Sequence, residues 1–285
     1  MTAQPTANPR RVARVTRGMP AEDGAGVKLT RLIGTRDIPD IDPILMLDNF
    51  GSDDPKAYIA GFPPHPHRGF ETISYMISGS LRHQDNKGGE GLITDGGVQW
   101  MTAGRGVVHS EMPAQTSGLM FGFQLWLNLP ASEKMRAPWY RDIPAAQIPT
   151  ITAGEGATAK LIAGEWNGTK GPGPERPTEP FIVDVALAAG ASVAIPIPSG
   201  HAAFALVFQG AARLGPPTLA RELVKGDLAV LDDGGALRAT ATKDARLYIV
   251  AGKPLREPIA KYGPFVMNTQ DELRQAISDV QRGAF

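Results

Sequence analysis

The chain has 285 residues, enough for two ordinary domains that each bury a core, and its 29 basic residues balance its 29 acidic ones. This neutrality argues against a direct nucleic-acid partner, and the absence of cysteine excludes disulfides, thiolate metal sites and cysteine nucleophiles. No apolar run approaches the ~18 residues of a membrane-spanning helix, and the start MTAQPTANPRR lacks the apolar stretch of a signal peptide, so the expected location is the cytoplasm.

Glycine (33) and proline (25) punctuate short apolar runs throughout, the pattern of an all-β sandwich or barrel. Residues 1 to about 10 read as a mobile polar arm. A first strand is expected over Arg11–Val15 and a second over GVKLTRLI, from Gly26 to Ile33, where Val27, Leu29 and Leu32 are apolar. Ile44–Leu47 enters DNFGSDDP, whose Asp, Asn, Gly and Pro supply turn chemistry.

The stretch Gly61–Pro113 carries the chemistry. It contains HPHRGFE and, after a turn-rich middle, HSEMP. His65 and His67 are separated by one residue, as are His109 and Glu111. In a strand each pair projects from one face, so three imidazoles and a carboxylate can converge. Such a set suits a divalent transition metal, with iron, manganese, cobalt, nickel, copper or zinc all compatible and hard-oxygen ions such as calcium disfavoured. Glu71, four residues after His67, shares its parity, and spacing does not choose between Glu71 and Glu111. His83, on the strand returning from the Gly79-Ser80 turn, reads as a partly exposed strand residue. The glycines from Gly88 to Gly97 read as turns, since no GxxxxGK leads into a helix.

In FGFQLWLNLP, Phe121, Phe123, Leu125 and Leu127 share one face while Gln124 and Trp126 share the other, toward either a barrel interior or solvent. Pro130–Pro149 is proline-rich and reads as a linker ending the first domain. FIVDVAL, from Phe181, begins a second round of strands. Aligning Gly69 with Gly200 and Gly79 with Gly210 sets the HPH histidines against Pro196 and Pro198, which offer no donor atom, so no second metal site is expected. His201 is then structural or exposed. Near the end, Thr269 and Glu272 form a capping box before an amphipathic helix with Leu273, Ala276, Ile277 and Val280 on one side, stopped at Gly283.

The segments DPILMLDNFGSDDPKAYIAGFPPHPHRGFETISYMISG, QWMTAGRGVVHSEMP and GPFVMNTQDELRQAI resemble the pirin family of the cupin superfamily. The resemblance implies a bicupin, two tandem β-barrel or jelly-roll domains with a C-terminal α-helix. It divides the chain into an arm (1–10), a metal-binding cupin domain (11–145), a cupin-like domain without metal (146–263) and a C-terminal segment (264–285) whose helix docks back on the first domain. It implies His65, His67, His109 and Glu111 as metal ligands, with Glu71 a neighbour, and iron as the foremost metal.

Several pirins resemble quercetin 2,3-dioxygenases, which implies a monomeric enzyme opening a flavonol ring with dioxygen. Glu111 would take the flavonol proton as catalytic base, and Phe62, Arg68, Gln124 and Trp126 would line the pocket. The alternative the resemblance carries is a non-catalytic, iron-binding redox sensor acting on a protein partner. Tyr262 stands where the family usually has histidine.

Overall fold

A computed structural model describes residues 9–285, so most of the expected N-terminal arm lies outside the described residues. Arg10, assigned to that arm, is instead fully buried: its guanidinium donates to the Asp232, Pro198, His201 and Gly235 carbonyls. Four of the five donors on this planar fork are matched to acceptors, which explains how a charge can be tolerated there.

Two compact units emerge. One comprises Met19–Ala145 with Leu255–Phe285, the other residues 9–18 with Ala146–Pro254. The first strand, Val12–Arg17, pairs with Asp227–Leu231 and so belongs to the second unit, not the first. Its arginines explain the pairing, since Arg11 and Arg17 reach the carboxylates of Asp232 and Asp227 at that strand's two ends.

The unit Met19–Ala145/Leu255–Phe285 is built from two antiparallel sheets. In the larger, the order is Trp139–Ile143, Val98–Thr102, Phe70–Ser78, Met120–Asn128, Ile44–Ser52, Val27–Ile33, Met19–Asp23. The smaller runs Phe62–His67, Val107–Pro113, Leu81–Asp85, Glu90–Ile93. Two sequence expectations fail here for one reason. Ile44–Ser52 continues through the turn-like DNFGS, and Trp139–Ile143 forms a strand inside the expected linker. Both segments are captured by buried neighbours, Met120–Asn128 and Val98–Thr102, whose pairing outweighs weak local propensity.

Residues 255–285 close this unit. A hairpin, Ala260–Tyr262 with Phe265–Met267, leads into the helix Gln270–Gln281, capped by Thr269 and Glu272. Leu273 and Ala276 pack with Phe265, Met267 and Phe285, while Ile277 and Val280 lie at the border of the same cluster. The buried Lys134 ammonium donates to the Gly69 and Val266 carbonyls and to Asn128 Oδ1, at 2.8, 2.9 and 2.7 Å.

The other unit carries a nine-stranded antiparallel sheet around the long strands Ala202–Leu214 and Leu237–Gly252, over an apolar core of Val, Leu, Ile and Ala side chains. Gly200 and Gly210 adopt positive φ, as do Gly69 and Gly79. His201 is buried, and its Nε2 lies 3.1 Å from the Glu179 carbonyl.

Candidate metal centre

The strand Phe62–His67 places His65 and His67 on one side, and its antiparallel neighbour Val107–Pro113 sets His109 directly opposite His65. The three rings form a triangle with centroid separations of 4.7, 4.4 and 4.9 Å. One nitrogen from each falls within 4.8 Å of the others, the one such cluster among the described residues. Burial first, then neighbouring imidazoles, pushes His67 and His109 well below the ordinary histidine value, so both rings are neutral and keep a lone pair.

The hydrogen bonding leaves these lone pairs unspent. His65 Nδ1 donates to the Pro63 carbonyl at 2.8 Å, which leaves Nε2 bare. His109 Nδ1 lies 3.2 Å from His83 Nδ1, and His109 Nε2 is buried with no partner. Neither nitrogen of His67 makes a hydrogen bond of good geometry, the Pro264 carbonyl being in weak contact only. Orphaned buried nitrogens on neutral rings are costly unless something accepts them, and a divalent transition metal is what three converging imidazoles fit.

Glu111 comes from the same strand as His109, past a register shift that sets it opposite Phe62. Its carboxylate stands outside the three-histidine group. Oε1 is 2.8 Å from Ser74 Oγ, and Oε2 accepts from Gln124 Nε2 at 3.1 Å. Ser74 Oγ makes a second, short contact with Gln124 Oε1. Glu71 goes elsewhere, accepting from Thr102 Oγ1 at 2.6 Å, and does not border the cavity described below. The parity count from His67 to Glu71 crosses Gly69, whose φ of +89° breaks the strand and its alternation.

A cavity of about 620 Å³ opens onto His65 and His67. Phe62, Gln124 and Trp126 line it together with His65, His67 and Glu111, and Leu29, Phe50 and Leu81 add apolar wall. Arg31, forked onto Asp48 at 2.9 and 2.7 Å, and Lys261, 5.5 Å over the Trp126 ring, add charge. Arg68 is absent from this lining. Just past the end of the strand at His67, it points away, donating to the Arg105 carbonyl and Asp279 and stacking on Phe285. Tyr262 is exposed and also lies off the cavity.

Sequence reasoning missed His83 and Ser74. His83 is not partly exposed but 1% exposed, pressed between His109 and Tyr140. Its strand pairs with that of His109, so the neighbour across the ladder, not spacing along the chain, was the signal. A second cavity, about 460 Å³, lies in the unit Ala146–Pro254 beside His201 and Glu179, without a comparable ligand cluster among the described residues.

Two β-units, one holding a buried three-histidine centre at the end of a cavity, define a bicupin with a single candidate metal site. The sequence matches the family described as Pirin over residues 26–127 and that described as Pirin C-terminal cupin domain over residues 182–285. A pirin-like protein of Caulobacter vibrioides is 46% identical, covering 97% of this chain and 99% of its own. Human pirin is 39% identical over 90% of this chain and 87% of its own. The crystal structure of quercetin 2,3-dioxygenase from Acinetobacter baumannii superposes with a TM-score of 0.90, at 34% identity, covering 97% and 98% of the two chains. This chain therefore belongs to the pirin family. Among its described residues no helix is long and apolar enough to cross a membrane.

Proposed function

We propose that this protein is a metal-dependent dioxygenase that opens a flavonol ring, with His65, His67 and His109 holding one divalent transition metal, iron foremost, and Glu111, outside that group in this structure, available as its fourth ligand. The similarity to a quercetin 2,3-dioxygenase supports the substrate class, and a cavity of about 620 Å³ suits a molecule of flavonol size. When bound, the metal would supply Lewis acidity and the redox capacity that dioxygen chemistry needs.

The observation that carries the reading is the position of Ser74. Its hydroxyl has one proton and faces two acceptors, Glu111 Oε1 and Gln124 Oε1. While Glu111 is ionised, Ser74 donates to it. Once Glu111 takes a proton on Oε1, it donates to Ser74 Oγ, and the hydroxyl proton turns to Gln124 Oε1. The network thus satisfies the carboxylate in both protonation states, as a proton acceptor for the flavonol 3-hydroxyl requires. Gln124 Nε2 keeps the second oxygen oriented throughout. Phe62 and Trp126 flank the ligand and exclude water. The overall reaction consumes dioxygen and releases carbon monoxide from the ring.

The proton step can be watched without turnover. Under anaerobic conditions the metal-loaded protein should shift the absorption of bound quercetin to that of its anion. Glu111→Gln should bind quercetin with the neutral spectrum, and an unchanged anion spectrum in that variant would remove Glu111 as the acceptor.

A further inference from the structure

His83 and Asp85 lie behind the metal centre on the strand Leu81–Asp85, paired with the strand that carries His109. His83 Nδ1 sits 3.2 Å from His109 Nδ1, and its Nε2, which makes no hydrogen bond, faces the Asp85 Oδ2 charge at 3.7 Å. Both side chains are nearly closed to solvent, at 1% and 7% exposure. The Asp85 carboxylate is itself pinned, because its Oδ1 accepts from the Lys87 and Gly89 amides at 2.7 and 2.9 Å. Tyr140 lies against the other side of His83, ring centroids 5.1 Å apart. Gly89 has no room for a side chain, since a Cβ there would collide with Asp85 Oδ2 and Tyr140.

We propose that Asp85 and His83 are positioning residues that set the tautomer of His109, so that its Nε2 presents a lone pair to the metal. The argument is one of donor order. A carboxylate beside His83 Nε2 attracts the proton of His83 to that nitrogen, so His83 Nδ1 is an acceptor. Its hydrogen-bond partner among the described residues is His109 Nδ1, which must then carry the proton. His109 Nε2 is left bare, in keeping with its lack of a hydrogen-bond partner in the protein. The reverse order would place a hydrogen on the atom turned toward His65 and His67 and close the site. Partners of this kind behind a ligand histidine are worth about 10–100-fold in metal affinity. The proposal rests on the metal reading of the three histidines, yet the proton order is a property of the metal-free protein and can be read separately.

The isosteric variant Asp85→Asn makes the test sharp. The Lys87 and Gly89 amides still demand an oxygen on the Oδ1 side, so the new NH2 group faces His83 Nε2. His83 then accepts there and donates from Nδ1, which drives the His109 proton onto Nε2. Long-range 1H–15N correlations of the histidine rings in metal-free protein should show His109 protonated at Nδ1 in the wild type and at Nε2 in Asp85→Asn. Cobalt(II) affinity, measured by chelator competition, should fall about 10–100-fold in Asp85→Asn and in His83→Phe, with the metal-free melting temperature of Asp85→Asn retained.

A wild-type His109 protonated at Nε2, or wild-type cobalt affinity in Asp85→Asn, would overturn the proposal. If His83→Phe does not fold, Asp85→Asn decides alone. Failure of the wild type to bind cobalt would defeat the metal reading instead, while the tautomer measurement would still decide this one.

Discussion

Ser74 Oγ stands 2.8 Å from Glu111 Oε1 on the neighbouring sheet, joining Phe70–Ser78 to the strand that carries His109. The contact spans the two sheets and ties the candidate base to the larger one. Ser74→Ala removes the only hydroxyl on Oε1 and should lower kcat by about 10-fold to 100-fold, the scale of a charge-assisted hydrogen bond of roughly 1.5–3 kcal/mol. Metal content should be unchanged. Equal losses of metal and turnover would assign Ser74 to site assembly instead.

His109→Ala should abolish tight metal binding, because it deletes one corner of the triangle. Glu71→Gln should leave most of it, since that carboxylate is bonded to Thr102 and lies off the cavity. Metal stoichiometry by elemental analysis after desalting compares the two, and equal loss from both would undo the ligand assignment.

The charge on Lys134 gives a pH signature. Burial lowers this ammonium from its ordinary value to about 8. Between about pH 8 and the unfolded value the unfolded chain binds more protons, so stability rises with pH through that window and the full penalty applies below it. In Lys134→Met this dependence disappears, and three buried acceptors lose their donor. The variant should be less stable by about 2–4 kcal/mol at pH 7.5. The gap should widen by on the order of 2 kcal/mol at pH 10. Urea denaturation at the two values reads this; a gap that narrows at pH 10 would contradict it.

Gly69 allows the C-terminal hairpin to lie against the HPH strand. It has φ +89°, and a Cβ would collide with the Val266 carbonyl. Gly69→Ala should cost at least about 1–3 kcal/mol through backbone strain alone and loosen residues 255–285, visible as faster amide exchange at Val266. Unchanged exchange and melting temperature would refute the close approach.

The three histidines were legible because strand alternation is local: one intervening residue suffices to align His65 with His67 on one strand. The choice between Glu71 and Glu111 was not, since it turns on one left-handed glycine that a parity count ignores. His83 and Arg68 were misplaced for related reasons. What surrounds a strand residue is fixed by the neighbouring strand, and for Arg68 by Asp279 and Phe285, which arrive from more than two hundred positions away. The first strand shows the same limit, for nothing within Arg11–Val15 announces that its partner is Asp227–Leu231. The capping box of the last helix, by contrast, is complete within four residues and appears as the sequence predicts.

Binding of a metal by the native state alone should stabilise it by about 2.7 kcal/mol at one hundred times Kd, so that the melting temperature rises with metal concentration. Among the described residues the ligand cluster lies in the unit Met19–Ala145/Leu255–Phe285, so His67→Ala should cancel the effect. Calorimetry across a cobalt titration checks this, and an equal shift in the variant would place the binding elsewhere.

The most direct test of the account is oxygen uptake with quercetin by metal-stripped protein reloaded separately with iron, manganese, cobalt, nickel and copper, beside Glu111→Gln treated alike. The account predicts metal-dependent uptake with carbon monoxide release in the wild type, and its loss in Glu111→Gln despite retained metal. No uptake with any ion at full occupancy, or undiminished uptake in Glu111→Gln, would contradict it.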